Sequence, residues 1–439
     1  MYNPFHRLTL FSLGLIFFIT WTTSTVRAAE ELPNIVLIIS DDQHWGDYGF
    51  MEHPVVRTPR LDKLSQEGLL FTRGYVPSSL CCPSLASIIT GHYPHSHRIT
   101  GNDPPMPAGM QRGDFYQSQA YLDGRNVLID RMKELPALPK LLAEKGYLSM
   151  QTGKWWMGRF DSGGFTHGMT QGNRHGDDGL QIGRNTMQPI ADFLDLADKE
   201  NKPFFLWYAP MLPHDPHDPP PRLLEHYTEK TDSIHQARYW GNVERFDETC
   251  GELLDELDRR GLSDNTVIVY VCDNGWIQSQ DKPQFAPKSK QSQYDGGLRT
   301  PVMIRWPGKI MPDRNDTDFV SSIDIVPTLV SIAGLSTNDP LPGINLLDND
   351  AVAARKAIYG ECFTHDFVDL HRPEKNLRFR WMIDDGWKLI VAQPGEQTGI
   401  ELYNVLDDPH EERNLAISQP QRVEALLPKL NEFYQPGQP

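Results

Sequence analysis

NIVLIIS at residues 34–40 runs straight into Asp41 and Asp42. Seven residues without polar alternation predict a strand buried on both faces, as in a parallel sheet. The same texture returns at 204–209, FFLWYA, and at 266–272, TVIVYVC. Helical patterns lie between these runs. One is 58–68, TPRLDKLSQEG, with Thr58 as N-cap and Gly68 as stop; another is 137–146, ALPKLLAEKG. A long one fills 236–260, where LLDEL at 253–257 carries the apolar stripe. A strand at 301–306, PVMIRW, and a helix at 324–334, DIVPTLVSIAG, continue the alternation. Strands alternating with helices predict an α/β fold, a large mostly parallel sheet with helices on both faces. After about residue 340 the texture changes. The stretches 378–383, 387–392 and 401–403 read as short strands of a small antiparallel sheet, and 419–434 as a terminal helix. The expected organisation is a leader over 1–29, a large α/β domain over 30–340 and a smaller subdomain over 341–439.

The 439 residues carry a formal net charge of −16, and 39 % of them are hydrophobic. That composition excludes a collagen, a coiled coil and a wholly disordered chain. The acidic balance argues against non-specific nucleic-acid binding, because phosphates repel it. It leaves room for an anionic substrate, since local Lys and His can reverse the field inside a cleft. Residues 8–20, LTLFSLGLIFFIT, follow His6 and Arg7 and precede VRAA at 26–29. This reads as a secretory signal cut near Ala28, too short for a span of about 20 residues. A secreted or periplasmic protein with no stable membrane span is expected. Five cysteines, an odd number, leave at least one thiol unpaired or chemically used.

In open α/β sheets ligands bind beyond the carboxyl ends of strands. Asp41-Asp42 sits at one such end and Asp273-Asn274, within VCDNG, at another. Together they offer a ligand set for a hard cation, Ca²⁺ or Mg²⁺. Asp and Asn also serve as turn and helix caps, so either pair alone has a plainer use. The segment SLCCPSLASIITGHYPH, from Ser79, is the most distinctive in the chain.

That segment resembles the signature of the type I, formylglycine-dependent sulfatases of the alkaline-phosphatase superfamily. Cys81, Pro83, Ser84, Ile88, Ile89, Thr90 and Gly91 carry the match. The resemblance implies that Cys81 is oxidised to formylglycine (3-oxoalanine) by a maturation enzyme, and that its hydrated aldehyde is the nucleophile. It implies metal ligation, with Ca²⁺ favoured, by Asp41, Asp42, Asp273 and Asn274, together with the modified Cys81. Lys154, in GYLSMQTGKWW, matches a lysine that contacts sulfate and aldehyde. Pro213-His214 matches a Pro-His whose imidazole helps the leaving group, and Lys290, opening KQSQYDGGLRTP, matches a second sulfate-contacting lysine. RWPGKI, DIVPTL and ELYNVLDDPHEERNLA are similar to family segments as well. The partners implied are a sulfated glycan or small sulfate ester, and the maturation enzyme.

Two positions depart from the family pattern. Leu85 stands where the family has an arginine that aids recognition of the cysteine and supports the aldehyde and the metal carboxylates. Leucine offers neither charge nor donor. Trp156 stands where the family has a histidine assigned the gem-diol proton, and indole has no lone pair for that task. His92, and His167 and His175 in the Gly-rich stretch 160–190, are candidate replacements. Of Trp45, Trp155, Trp156, Trp207 and Tyr208, some are candidates to stack on sugar faces and most are expected in the core. Three functions stay open on these residues. The first is a sulfuric ester hydrolase acting on a sulfated carbohydrate or aryl ester. The second is a catalytically impaired protein of the same fold that binds sulfated glycans. The third is a phosphoester hydrolase.

Overall fold

The structure is a computed structural model and describes residues 1–2, 31–337 and 339–436. The leader read over 1–29 lies, but for Met1 and Tyr2, outside the described residues. Nine strands form the large sheet: β1 (Asn34–Ser40), β2 (Leu69–Tyr75), β3 (Leu148–Gly153), β4 (His167–Gly168), β5 (Phe204–Ala209), β6 (Thr266–Cys272), β7 (Arg299–Arg305), β8 (Asp313–Asn315) and β9 (Val320–Ser321). Their order is β4-β3-β5-β1-β6-β7-β2-β8, with β9 beside β2. Every residue of β1 is buried, as its unbroken apolar run requires. Leu37 pairs with Trp207 of β5 on one side and Val269 of β6 on the other.

The sheet is mixed. β7, expected at 301–306, runs antiparallel to both β6 and β2. β1 is parallel to β5 and β6, and β3 to β5. Because β7 opposes both its neighbours, β2 runs in the same direction as β6 and β1. The carboxyl ends of β1, β2, β3, β5 and β6 therefore share one edge with the amino end of β7. That edge is where the chemistry-bearing residues emerge.

The helix expected at 58–68 is Pro59–Glu67, flanked by Thr58 and Gly68. Thr58 makes no cap bond to the helix; its hydroxyl donates instead to Asp62 Oδ1, 2.8 Å away. The long helix is Ile234–Arg259, and Ser233 caps it by accepting from the Gln236 N–H. It lays Phe246, Leu253 and Leu257 on the face of the sheet that carries Val36, Ile38 and Ile268. The helices at 137–146 and 324–334 are shorter than expected, Leu138–Ala143 and Ile325–Ile332.

The small sheet is antiparallel in the order β10 (Ala357–Phe363), β11 (Leu377–Asp384), β12 (Trp387–Ala392) and β13 (Ile400–Asn404). Helix Pro420–Phe433 covers one face, with Leu426 and Leu430 against Met382, Leu389 and Leu402. The other face puts Ile358, Trp381 and Ile390 against Tyr75, Val76 and Leu298. The small sheet thus packs on the chain just before β7.

Candidate active site

Each strand end delivers one part of the site. β1 ends in Asp41 and Asp42, both buried. β6 ends in Asp273 and Asn274, also buried. β3 ends at Gly153, whose φ of +73° and approach to Ala209 leave no room for a side chain; a Cβ there would lie 1.7 Å from the Ala209 carbonyl oxygen. This tight passage turns the chain so that Lys154 follows inside the protein. β5 leads through Met211 to His214, and the segment before β7 carries Lys290. Cys81 is the first residue of helix Cys81–Thr90, which follows β2.

The structure brings these residues together. Lys154 Nζ donates to Asp41 Oδ1 at 2.6 Å and lies 3.4 Å from Asp273 Oδ2. Lys290 Nζ donates to Asp42 Oδ2 at 2.6 Å. The Asp42 N–H donates to Asp273 Oδ1 at 3.2 Å, and Asn274 Nδ2 donates to Asp42 Oδ1 at 2.6 Å. Asp41, Asp42 and Asp273 each offer an oxygen within 4.8 Å of the others. Asn274 Oδ1 is buried without any donor among the described residues. A buried oxygen left unpaired costs about 1–3 kcal/mol, and a cation removes that cost. Three carboxylates plus this orphaned amide oxygen fit a hard divalent ion. Cys81 Sγ lies within the same distance of Asp41 and His214 ligand atoms, so an oxygen placed on that side chain fits the cluster.

Burial, with Asp41 adding to it, pushes Asp273 up to about 8. Burial acts on Asp42 in the same direction, but Lys290, His214 and Lys154 carry it down to about 2. Burial lowers His214 to about 3, helped by Lys154 and Lys290, so its imidazole is neutral at physiological pH. Its Nδ1 lies 2.6 Å from the Asp215 carbonyl oxygen, which assigns the proton to Nδ1. Burial pushes the Cys81 thiol up to about 12, against the pull of Lys154 and Lys290.

Cys81, His214 and Lys290 line a cleft of about 870 Å³. Trp156 and His175 line it too, their rings 4.6 Å apart. Leu85 is wholly buried. Of the three candidate replacements for the missing histidine, only His175 reaches the cleft among the described residues. His92 Nδ1 is tied to the Thr90 carbonyl, and His167 packs beside Phe193 on β4. His175 Nε2 accepts from Arg174 Nη1 at 2.6 Å, so its lone pair is engaged. Trp155, Trp207 and Tyr208 are core residues, and Trp45 lies under the Arg299 guanidinium at 3.9 Å. Sequence reasoning missed Arg174 and Trp276, which also line the cleft. Arg174 had a signal: it sits beside His175 in the Gly-rich stretch. Trp276 had only its place two residues beyond Asn274.

Comparison with known proteins bears on this geometry. The sulfatase family profile matches residues 33–335, and the profile of the N-sulphoglucosamine sulphohydrolase C-terminal region matches 288–434. N-acetylgalactosamine-6-sulfatase of Mus musculus is 26 % identical over 388 residues, covering 77 % of this chain and 68 % of that protein. Arylsulfatase A of Homo sapiens is 28 % identical over 369 residues, covering 73 % of this chain and 67 % of that protein. The chain thus spans about two thirds of the length of these relatives. A solved structure in complex with its substrate D-glucosamine-2-N,6-O-disulfate superimposes with a TM-score of 0.71 at 20 % identity, covering 92 % of this chain and 97 % of that one. The phosphonate monoester hydrolase of Agrobacterium radiobacter superimposes with a TM-score of 0.67 at 18 % identity, over 91 % of this chain and 95 % of that one. At such identities the structures establish the fold alone.

Proposed function

The chain belongs to the sulfatase family, sulfuric ester hydrolases of the alkaline-phosphatase superfamily, and from that premise we propose that it releases sulfate from a sulfated carbohydrate. One observation carries the reading: Cys81, Lys154, His214 and Lys290 meet four oxygen-bearing side chains at one edge of the sheet. We assign Cys81 to conversion into formylglycine by a maturation enzyme. Asp41, Asp42, Asp273 and Asn274 are assigned to a divalent cation, Ca²⁺ by preference and Mg²⁺ as the alternative. When present, the aldehyde hydrate would supply the attacking hydroxyl, and the cation would neutralise the anionic oxygens of the ester.

The chain's own residues do the rest. Lys154 and Lys290 hold the sulfate through charge-assisted hydrogen bonds. Their carboxylate partners fix both ammonium groups in place before substrate arrives. Asp273 orients the nucleophile. Lys290 donates a proton to the bridging oxygen as the alcohol leaves. His214, the other residue expected in that role, is neutral with its one ring proton on Nδ1 against the Asp215 carbonyl, so its Nε2 offers a lone pair and no proton. Export, to the outside or the periplasm, follows from the leader read over residues 1–29. No helix among the described residues is long and apolar enough to cross a membrane.

A second reading, binding of sulfated glycan without repeated turnover, draws on Trp156. Its indole is buried in the cleft wall, and the neighbouring His175 lone pair is held by Arg174. A thiol-based phosphoesterase has less support, because burial raises the Cys81 thiol above its ordinary value and so disfavours the thiolate.

The deciding experiment is mass spectrometry of tryptic peptide 74–98 from native-host protein, alongside release of sulfate and phosphate from matched aryl esters. A peptide lighter than the thiol form, with multiple sulfates released per chain, supports the hydrolase. The aldehyde with a single turnover supports the binding reading. A bare thiol with phosphate release exceeding sulfate release overturns the assignment.

A further inference from the structure

The Gly-rich stretch has no part in the chemistry assigned above, yet it is tightly built. Within it, His175 and Asp177 adopt left-handed backbone, φ +69° and +51°. Such strain in non-glycine residues persists only where the surroundings hold it. Here Asp177 Oδ2 accepts the N–H groups of Gln171, Gly172 and Asn173 at 2.8–2.9 Å. Thr170 Oγ1 donates to the Gly176 carbonyl at 3.0 Å, and the Trp155 N–H donates to the His175 carbonyl at 3.1 Å. A Cβ at Gly176 would come 2.4 Å from the Gly153 carbonyl oxygen. The turn is therefore pressed against the end of β3, next to Lys154.

What the turn presents to the cleft is Arg174 with His175. Arg174 Nε and Nη2 donate to the two carboxylate oxygens of Asp103 at 3.1 and 3.0 Å, and Nη1 donates to His175. The guanidinium lies over the rings of Trp156 at 4.5 Å and Tyr116 at 5.0 Å. Three of its five N–H groups are thus engaged, and the other two have no acceptor among the described residues. The side chain keeps 26 % of its surface exposed. A rigid, stacked guanidinium with spare donors is suited to a planar or tetrahedral anion.

The setting favours an anion as well. The protein is strongly acidic, yet Arg174, Lys282 and Lys290 line this cleft against one carboxylate among its described residues, that of Asp215. Burial and the positive charges of Arg174, Lys154 and Lys290 hold the His175 imidazole neutral. His175 lies 5.8 Å, ring to ring, from His214, so Arg174 stands one side chain beyond the sulfate end of the site. At about 870 Å³ the cleft is far larger than a sulfate group and must hold part of the alcohol.

We propose that Arg174 forms a second anion subsite, which takes a carboxylate or sulfate substituent of the same carbohydrate whose ester is held at Lys154 and Lys290. The proposal rests on the sulfated-carbohydrate reading and adds to it a preference for doubly anionic substrates. Asp103 pins the fork, Trp156 and Tyr116 set its plane, and the free N–H groups meet the substituent.

The test is calorimetric binding of three sulfated disaccharides to the Ca²⁺-loaded full chain carrying Cys81→Ala, which blocks turnover. The three share one sulfated sugar; the neighbouring sugar is a uronate, a second sulfated sugar or a neutral sugar. With Arg174 intact, at least one acidic disaccharide binds about tenfold or more tighter than the neutral one, and which one identifies the substituent. Adding Arg174→Gln reduces that preference to less than about twofold, while Arg174→Lys, which keeps charge without the fork, retains part of it. Melting temperatures of each variant verify folding. Equal binding of acidic and neutral ligands with Arg174 intact overturns the proposal alone, as does a preference unchanged by Arg174→Gln or Arg174→Lys. Binding of none of the three removes the sulfated-carbohydrate reading and this proposal with it.

Discussion

Lys388 Nζ, on β12 of the small sheet, donates to Asp295 Oδ1 at 2.7 Å, and both side chains are fully buried. Asp295 lies between Lys290 and β7, so this ion pair ties the small sheet to the segment that carries a site lysine. Glu411 closes the cluster, 2.8 Å from Lys388 and accepting the Asp295 N–H. Removing one member of a buried ion cluster costs about 3–5 kcal/mol, because the others stay buried and unpaired. Lys388→Met is therefore expected to lose about that much in urea unfolding of the full chain. Neutralising both acids as well, with Asp295→Asn and Glu411→Gln, recovers most of the loss. A single-variant cost under about 1 kcal/mol would show the cluster to be dispensable.

The carboxylate cluster predicts a metal response that needs no turnover. Chelator-treated protein should melt at lower temperature than protein given Ca²⁺, since an ion that binds only the folded state adds about 2.7 kcal/mol at a hundred times its Kd. Asp42→Ala or Asp273→Ala should erase the response, each removing one of the oxygens grouped within 4.8 Å. Running the melts with Mg²⁺ alongside separates the two ions. An identical melting curve with chelator and with either ion refutes the metal assignment.

Much of this arrangement was legible in the sequence, for a physical reason. β1, β5 and β6 are covered on both faces, so each is an unbroken apolar run, and the chemistry stands at its end. β2 and β3 were not recognisable, because buried polar residues interrupt them. Gln151 and Thr152 of β3 are buried only because they bond to the backbone carbonyls of Gly153 and Trp207. β10 hid behind Gly360 and the buried Glu361, whose partner His95 is far away in sequence. Lys154 and Lys290 have no periodicity that joins them; only the resemblance put them together. Arg174 depends on contacts with Asp103 and Trp156 that local patterning does not encode.

Asp247 offers a pH test remote from the site. It accepts the Leu61 and Arg60 N–H groups at 2.7 and 3.0 Å at the start of helix Pro59–Glu67, and burial pushes it up to about 7. A folded value above the unfolded one, about 3.9, means the folded state holds the proton more tightly. Its stabilisation is full below pH about 4 and fades as pH rises through about 7. Asp247→Asn keeps one acceptor oxygen and cannot ionise. The variant should be less stable than the parent near pH 4 and gain on it steadily towards pH 8. A stability difference that stays constant across that range contradicts the assignment.

Trp156 sets the last expectation. Its indole is 1 % exposed and packed against both Arg174 and His175. Replacing it with histidine forfeits part of that packing, and large-to-small changes of this kind cost up to about 3–5 kcal/mol. The imidazole restores a lone pair where the family pattern has one. If release of sulfate from the enzyme limits the parent chain, an aryl sulfate gives a rapid burst of phenol followed by a slow phase. Trp156→His should then leave the burst amplitude near one per chain and speed the slow phase, while lowering the melting temperature. Trp156→Phe matches the loss of indole without adding a base, and should lower the melting temperature without speeding the slow phase. Equal slow phases in the two variants would mean that Trp156 does not stand in the place of a missing base.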